Sequence, residues 1–194
     1  CDPSDYSMLT ANENTIELRQ KLAAKAFFHV SSYDAMIGNY LNPEPGIEYS
    51  VGGAVVQKLR HGENPQQQGV WYRTKGRLLG WHQAKILQGK ELSYNNLLDL
   101  DAARNVVLES DRPCAVAVKH NNPCGVAVAD NVTEAVTLCL KADPVSVFGG
   151  IIAVNKTIDE KAAAILSEVF LECVVAPSFS LGAREVFAKK KNLR

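Results

Sequence analysis

The sequence predicts a layered α/β fold, and three observations carry that prediction. The runs "CAVAV" (Cys114–Val118), "GIIAV" (Gly150–Val154) and "CVVA" (Cys173–Ala176) are short and almost continuously apolar, the signature of strands buried on both faces. Segments with helical spacing separate them, "NVTEAVTLCLKAD" and "DEKAAAILSEVF" among them. Helices alternating with buried strands stack as layers. The chain has 194 residues, 46% hydrophobic and 22% charged, which suits a globular protein of one domain or a little more.

The elements follow in order. Asn14 with Glu17 three residues on resembles a helix-capping pair. Behind it Leu18, Leu22, Ala26, Val30, Tyr33, Ile37 and Tyr40 mark one apolar helix face, with a break expected near Ser31-Ser32. "NPEPGIEYSVGG" (Asn42–Gly53) is rich in Pro and Gly and reads as a linker. "LRHGENPQQQGVWY" (Leu59–Tyr72) is a polar loop running into a short aromatic strand. Leu97, Leu100, Ala103 and Val107 predict a helix starting between Ser93 and Asn96. "CAVAVKH" is a strand, and the next helix takes Asn131 or Thr133 as its cap. "FGGIIAVN" is a second strand, "DEKAAAILSEVF" a helix, "CVVAP" a third strand and "LGAREVFAKKK" a last helix.

Composition narrows the function. Lys plus Arg number 21 and Asp plus Glu number 21, so the basic footprint of a nucleic-acid partner is missing. No apolar run is long enough to span a membrane as a helix, and no signal-peptide pattern is present. The five cysteines, Cys1, Cys114, Cys124, Cys139 and Cys173, are scattered without a C-x-x-C pair. They read as reduced, mostly buried thiols of a cytosolic protein. The start "CDPSDYSML" and the stop "AKKKNLR" do not read as natural boundaries, so a segment of a longer polypeptide is expected.

The chemistry-bearing stretch is "VKHNNPCGVAV" (Val118–Val128). Lys119 and His120 stand together where a buried strand ends, the position at which α/β sheets bind ligands. A turn on Pro123 and Gly125 would bring backbone close to a ligand. The bland alternative is a solvated Lys beside a hydrogen-bonded His. Zinc chemistry of the deaminase kind fits poorly: position 127 is Ala where P-C-x-x-C needs Cys, and Asn121-Asn122 follow His120 where H-x-E needs Glu. Cys124 is then a packed thiol. "RHGENP" (Arg60–Pro65) is by itself a polar surface loop, and "DPVSVFGG" (Asp143–Gly150) does not match the phosphate loop G-x-x-x-x-G-K-[ST]. "AKKKN" is a solvated helix face.

Taken together, "LRHGENPQQ", "LSYNNLLDLDAA", "VKHNNPCGVAV", "DPVSVFGGIIAVN" and "ECVVAP", in that order, resemble one family. It is the bifunctional purine-biosynthesis family that combines AICAR transformylase and IMP cyclohydrolase, AICAR being 5-aminoimidazole-4-carboxamide ribonucleotide. "CDPSDY" and "KAFFHVSSYDAMIGNYL" resemble the last part of the family's cyclohydrolase domain.

The resemblance implies that residues 1–42 are the helical tail of a methylglyoxal-synthase-like cyclohydrolase domain, 43–58 a linker, and 59–194 the first, cytidine-deaminase-like half of the transformylase. The second half, with an Asn and phosphate-binding Arg residues, has no counterpart here. The family's transformylase sites form across a homodimer interface. The implied substrates are AICAR and 10-formyltetrahydrofolate, giving FAICAR, which the complete protein closes to IMP. No zinc, nucleic acid or membrane is implied, and the location is cytoplasmic. The alternative is a nucleotide-binding module that does no chemistry.

Six residues match the family's functional positions. His120 matches the base that takes a proton from the substrate's 5-amino group. Lys119 matches the residue that assists proton transfer and stabilises the formyl oxyanion. Arg60 and Asn96 match nucleotide- or substrate-binding positions, Gly149 a glycine lining the pocket, and Glu172 an acidic position near the AICAR ring or the folate. His61 departs from the family, whose members usually carry Tyr there. The pairing suits the chemistry: a conjugated amine is a poor nucleophile and needs a base as attack develops, and the formyl oxygen needs a positive partner as it becomes anionic.

Overall fold

A computed structural model describes residues 2–11, 15–42, 44, 48–74 and 80–194. It divides into two compact units, Cys1–Gln57 with Trp71–Ala84, and Lys58–Val70 with Lys85–Arg194.

The first unit is led by helices. A 3-10 turn (Pro3–Asp5), capped by the Asp2 carboxylate, leads into α1 (Tyr6–Ala11). Lys25 draws this turn to the next helix by pairing with Asp2 and Asp5, both at 2.8 Å. Helix α2 (Ile16–Leu41) is capped by Thr15, whose hydroxyl accepts the Leu18 N–H; Asn14, the expected cap, lies outside the described residues. The helix does not break at Ser31-Ser32. Both hydroxyls donate back to the Phe28 carbonyl, so the serines satisfy themselves within the helix. Leu18, Leu22 and Ala26 of the expected apolar face are half-buried, whereas Val30, Tyr33, Ile37 and Tyr40 are exposed.

Strand β1 (Gly53–Leu59) pairs with β2 (Gly69–Thr74) in a two-stranded sheet. Residues 53–58, expected as linker, are therefore strand: the β-branched pair Val55-Val56 favours extended backbone, and β2 supplies the partner.

The second unit is α/β with a mixed four-stranded sheet in the order β4-β3-β5-β6. Helix α3 (Tyr94–Val107) precedes β3 (Cys114–Lys119) and β4 (Asn122–Val128). Then come α4 (Val132–Ala142), β5 (Ile151–Val154), α5 (Glu160–Ser167), β6 (Cys173–Val175) and α6 (Leu181–Ala188). Strand β3 runs antiparallel to both β4 and β5, and only β5 and β6 are parallel.

Alternation along β3 explains why its run is apolar throughout. Ala115 and Ala117 join the cluster formed with α4, α5 and α6, while Cys114, Val116 and Val118 join the cluster that includes Ala103 and Val107 of α3. Both faces are thus covered by helices, and Cys114 to Val118 are all buried. The helices start where side chains cap them: Ser93, Asn131, Asp159 and Ser180 each accept an N–H of the first turn. Asn155 braces the entry to β3, accepting the Cys114 N–H at 2.9 Å and donating to the Ser110 and Arg112 carbonyls at 2.7 Å each.

Burial also sets the thiols. Cys114, Cys139 and Cys173 are buried, and none of the four described cysteines is in a disulfide. Burial pushes the Cys139 and Cys173 thiols up to about 12. In the unfolded chain a thiol ionises near about 8.5, so as pH rises the unfolded state loses these protons first. Stability is then fully present below the unfolded value and declines as pH climbs towards about 12. The urea midpoint is expected to stay level up to about pH 8 and fall steadily above about pH 9. Thiolate absorbance from these two residues should appear only as the protein unfolds.

Candidate functional site

The end of β3 organises the site. Lys119 pairs with Asn122, so His120 and Asn121 alone form the loop of a hairpin. Both have positive φ, 53° and 62°, as a type I′ turn requires. The turn therefore lies on His120-Asn121, not on Pro123 and Gly125 as the sequence suggested. Asn tolerates left-handed backbone well, and His is among the residues enriched there. Pro123 and Gly125 belong to β4. Pro123 is tolerated because β4 is an edge strand. The register shift beyond Ala117 leaves Cys124 as the extra residue of a bulge. A Cβ at Gly125 would run into the Cys139 carbonyl oxygen, so helix α4 can approach the strand only because this residue is Gly.

Two side chains hold the turn from outside. The Asn121 N–H donates to Asp99 Oδ1 on α3 at 2.7 Å, and Asn122 Nδ2 donates to the His120 carbonyl at 2.8 Å. His120 itself is exposed.

Lys119 is half-buried and donates from Nζ to the Phe148 carbonyl at 2.8 Å. One of its three N–H donors is so occupied. Phe148 ends a loop that Asp143 begins: Asp143 Oδ1 accepts the N–H groups of Val145 and Ser146 at 3.1 and 2.9 Å. Hydrogen bonding to Ser146 holds the Asp143 carboxyl below its ordinary range. Gly149 follows with φ 75°, and its N–H donates to the Phe170 carbonyl at 2.7 Å. A Cβ there would make only ordinary contacts with the Phe170 ring, so conformation and not space demands this glycine. The rings of Phe148 and Phe170 stack at a tilt, 5.2 Å apart.

Asn96 and Glu172 meet each other. Asn96, 3% exposed, donates from Nδ2 to Glu172 Oε2 at 2.7 Å. Its Oδ1 accepts the Ser93 N–H while the Ser93 hydroxyl accepts the Asn96 N–H, a capping box that fixes the start of α3. Arg194 adds a cation 3.4 Å from Glu172 Oε2, and the Glu172 N–H donates to the Gly150 carbonyl at 2.9 Å.

Arg60 reaches the same end of α3 through the backbone. Its N–H donates to the Leu92 carbonyl, and the His61 carbonyl accepts from the Tyr94 N–H. The exposed Arg60 guanidinium lies 3.1 Å from His61 Nε2, and His61 Nδ1 lies 3.1 Å from the Gly62 carbonyl. One tautomer satisfies both contacts, with Nδ1 protonated and Nε2 accepting from Arg60.

Hydrogen bonds thus link Lys119, Gly149, Glu172 and Asn96 through Phe148, Phe170 and Gly150, and Asp99 ties the His120 turn to the helix that carries Asn96. Asp99 and Asn122 were not singled out in the sequence. The run of asparagines after His120 is the signal that would have placed the turn, and with it the need for outside partners. Among the described residues no group of three or more His, Cys, Asp and Glu side chains is placed to hold a metal ion, and no helix is long and apolar enough to cross a membrane.

A family model described as AICARFT/IMPCHase bienzyme matches residues 1–194. The bifunctional purine biosynthesis protein PurH of Trichormus variabilis is 47% identical over 201 residues, covering 100% of this chain and 39% of its own length. The PurH protein of Bacillus cytotoxicus is 48% identical over 203 residues, with 100% and 40% covered. The chain thus spans about 40% of the length of these relatives. Among solved structures, Acinetobacter baumannii RibD has a TM-score of 0.40 with 12% identity, over 50% of this chain and 34% of its own.

The Asn96–Glu172 contact generates a test. Asn96→Asp keeps the oxygen that accepts the Ser93 N–H but removes the donor to Glu172 and sets a second carboxylate against it. Two touching carboxylates resist joint ionisation, so the folded-state pKa of one must rise and the variant loses stability as pH rises. A loss of about 1–3 kcal/mol is expected at neutral pH, shrinking near about pH 4.5. Thermal unfolding at the two pH values checks this, and an equal loss at both would mean that the contact is not made.

Proposed function

The chain belongs to the AICARFT/IMPCHase bienzyme family, and from that premise we propose that it forms part of an AICAR transformylase site at the end of β3. The observation that carries the reading is the pairing of Lys119, tethered to the Phe148 carbonyl, with His120 on the adjoining left-handed turn. The substrates are AICAR and 10-formyltetrahydrofolate.

His120 accepts the proton of the 5-amino group as its nitrogen attacks the formyl carbon. The new C–N bond makes a tetrahedral centre whose oxygen is anionic, and the Lys119 ammonium stabilises it. Collapse breaks the bond between the formyl carbon and N10 of the folate. N10 takes up a proton from the Lys119 ammonium, the His120 imidazolium holding the one taken from the amine, and tetrahydrofolate leaves. Base and cation both come from the protein, so the reading assigns zinc no role. Arg60 and Asn96 bind the nucleotide, Gly149 shapes the pocket wall and Glu172 lies near the imidazole or the folate.

Residues 1–42 are assigned to the end of a methylglyoxal-synthase-like cyclohydrolase domain that closes FAICAR to IMP. Residues 59–194 are the first, cytidine-deaminase-like half of the transformylase, and 43–58 connect them, with 53–58 lying in β1. The relatives are about two and a half times as long as this chain, and the remaining transformylase residues come from that additional length in a cytoplasmic homodimer. The chain alone then holds one part of the site and does not turn over. Neither nucleic acid nor a membrane is a partner on this reading.

The test uses the chain extended to the relatives' full length. His120→Ala is expected to lower formyl transfer about 10²–10⁴-fold while AICAR still binds. Lys119→Ala should also slow turnover, and Lys119→Arg should not restore it, because a guanidinium is larger and does not release a proton readily. Cyclohydrolase activity should survive all three changes. Near-normal formyl transfer by well-folded His120→Ala would refute the assignment of the base.

A further inference from the structure

The two-residue turn leaves a problem that its own hairpin cannot solve. His120 and Asn121 both sit in the left-handed region, which costs a non-glycine residue about 1–2 kcal/mol. The ladder bonds of β3 and β4 run through Lys119 and Asn122, so the Asn121 N–H lies outside them. Within the second unit the carboxylate of Asp99 takes this N–H at 2.7 Å, a short charge-assisted bond from helix α3. Asp99 follows Asn96 by three residues, one helical turn along. Its backbone is therefore anchored by the same capping box and Glu172 contact that fix Asn96.

We propose that Asp99 is a positioning residue for formyl transfer, fixing the left-handed turn and thereby the placement of the His120 imidazole. Asn122 closes the other side by donating to the His120 carbonyl. The peptide group between His120 and Asn121 is held at both ends, its N–H by Asp99 and its C=O by Asn122. A residue whose backbone is gripped in this way can keep an exposed side chain at one place. Asp99 needs no contact with substrate to do so. The proposal rests on the reading of His120 as the base, and its test separates the two.

In the full-length polypeptide, kcat and KM for formyl transfer are measured for the parent, His120→Ala, Asp99→Ala and Asp99→Asn, with cyclohydrolase activity as the control for folding. Asp99→Ala frees the turn. It is expected to lower kcat about 10–100-fold, the scale of a small misplacement of a catalytic group. KM for the nucleotide should stay within about threefold, because binding contacts are untouched. Asp99→Asn keeps an oxygen acceptor and should hold kcat within about threefold of the parent. Should Asp99→Ala fail to fold, Asp99→Glu, which moves the acceptor by one methylene, is expected to show the same loss of kcat at unchanged KM. If Asp99→Ala (or Asp99→Glu) turns over like the parent while His120→Ala is inactive, the positioning role is overturned and the base assignment stands. If Asp99→Asn is as impaired as Asp99→Ala, the acceptor role is overturned as well. Activity retained by His120→Ala would remove both.

Discussion

A reactive pair at the end of a buried strand must be aimed, and here the aim depends on a hairpin loop of only two residues, His120 and Asn121. A loop that short follows the right-handed twist of its strands in a primed turn, and here, as type I′, both residues take positive φ. The strand below it cannot yield, because Cys114 to Val118 are buried under helices on both faces. Core packing therefore fixes where β3 ends, and the turn fixes where His120 begins. The bulge at Cys124 and the close approach of Gly125 to α4 adjust β4 to the same constraint.

The loops around this point are held by polar contacts that leave few choices. Lys119 is drawn to the Phe148 carbonyl, Gly149 adopts positive φ to hand its N–H to Phe170, and Gly150 receives the N–H of Glu172. Asn96 is both part of a helix cap and the partner of Glu172. The residues proposed to bind and react are thus set by bonds that also stabilise the start of α3 and the connection into β6. A change at one of them is felt at the next, and single substitutions here are not expected to add independently.

Much of the second unit was legible from periodicity, because its helices bury one stripe and its strands are buried throughout. Ser93 and Asn131 cap α3 and α4 where the sequence suggested. The antiparallel strand β4 was not legible. Pro123 and Gly125 are turn residues by composition, and only the pairing with β3 shows that they are accommodated by an edge strand and a bulge. Asp99 was hidden for a different reason: on sequence spacing it is one more acid on a polar helix, and its role depends on a partner 22 residues away. The first unit shows the reverse case. The apolar face of α2 was plain in the sequence, yet Val30, Tyr33, Ile37 and Tyr40 are exposed. Periodicity reports which side a helix would bury and not what buries it.

The central claim is that the end of β3 presents an imidazole as the base for formyl transfer. Removing that imidazole and supplying it again in solution tests the claim most directly. His120→Gly in the full-length polypeptide leaves room at the turn and retains its positive-φ backbone without strain. Formyl transfer is measured with this variant as free imidazole is titrated. A rate that is low without imidazole and rises to saturation with it is the predicted result. A variant that binds AICAR and folds normally, but stays inactive at every imidazole concentration or is fully active without any, would contradict the claim.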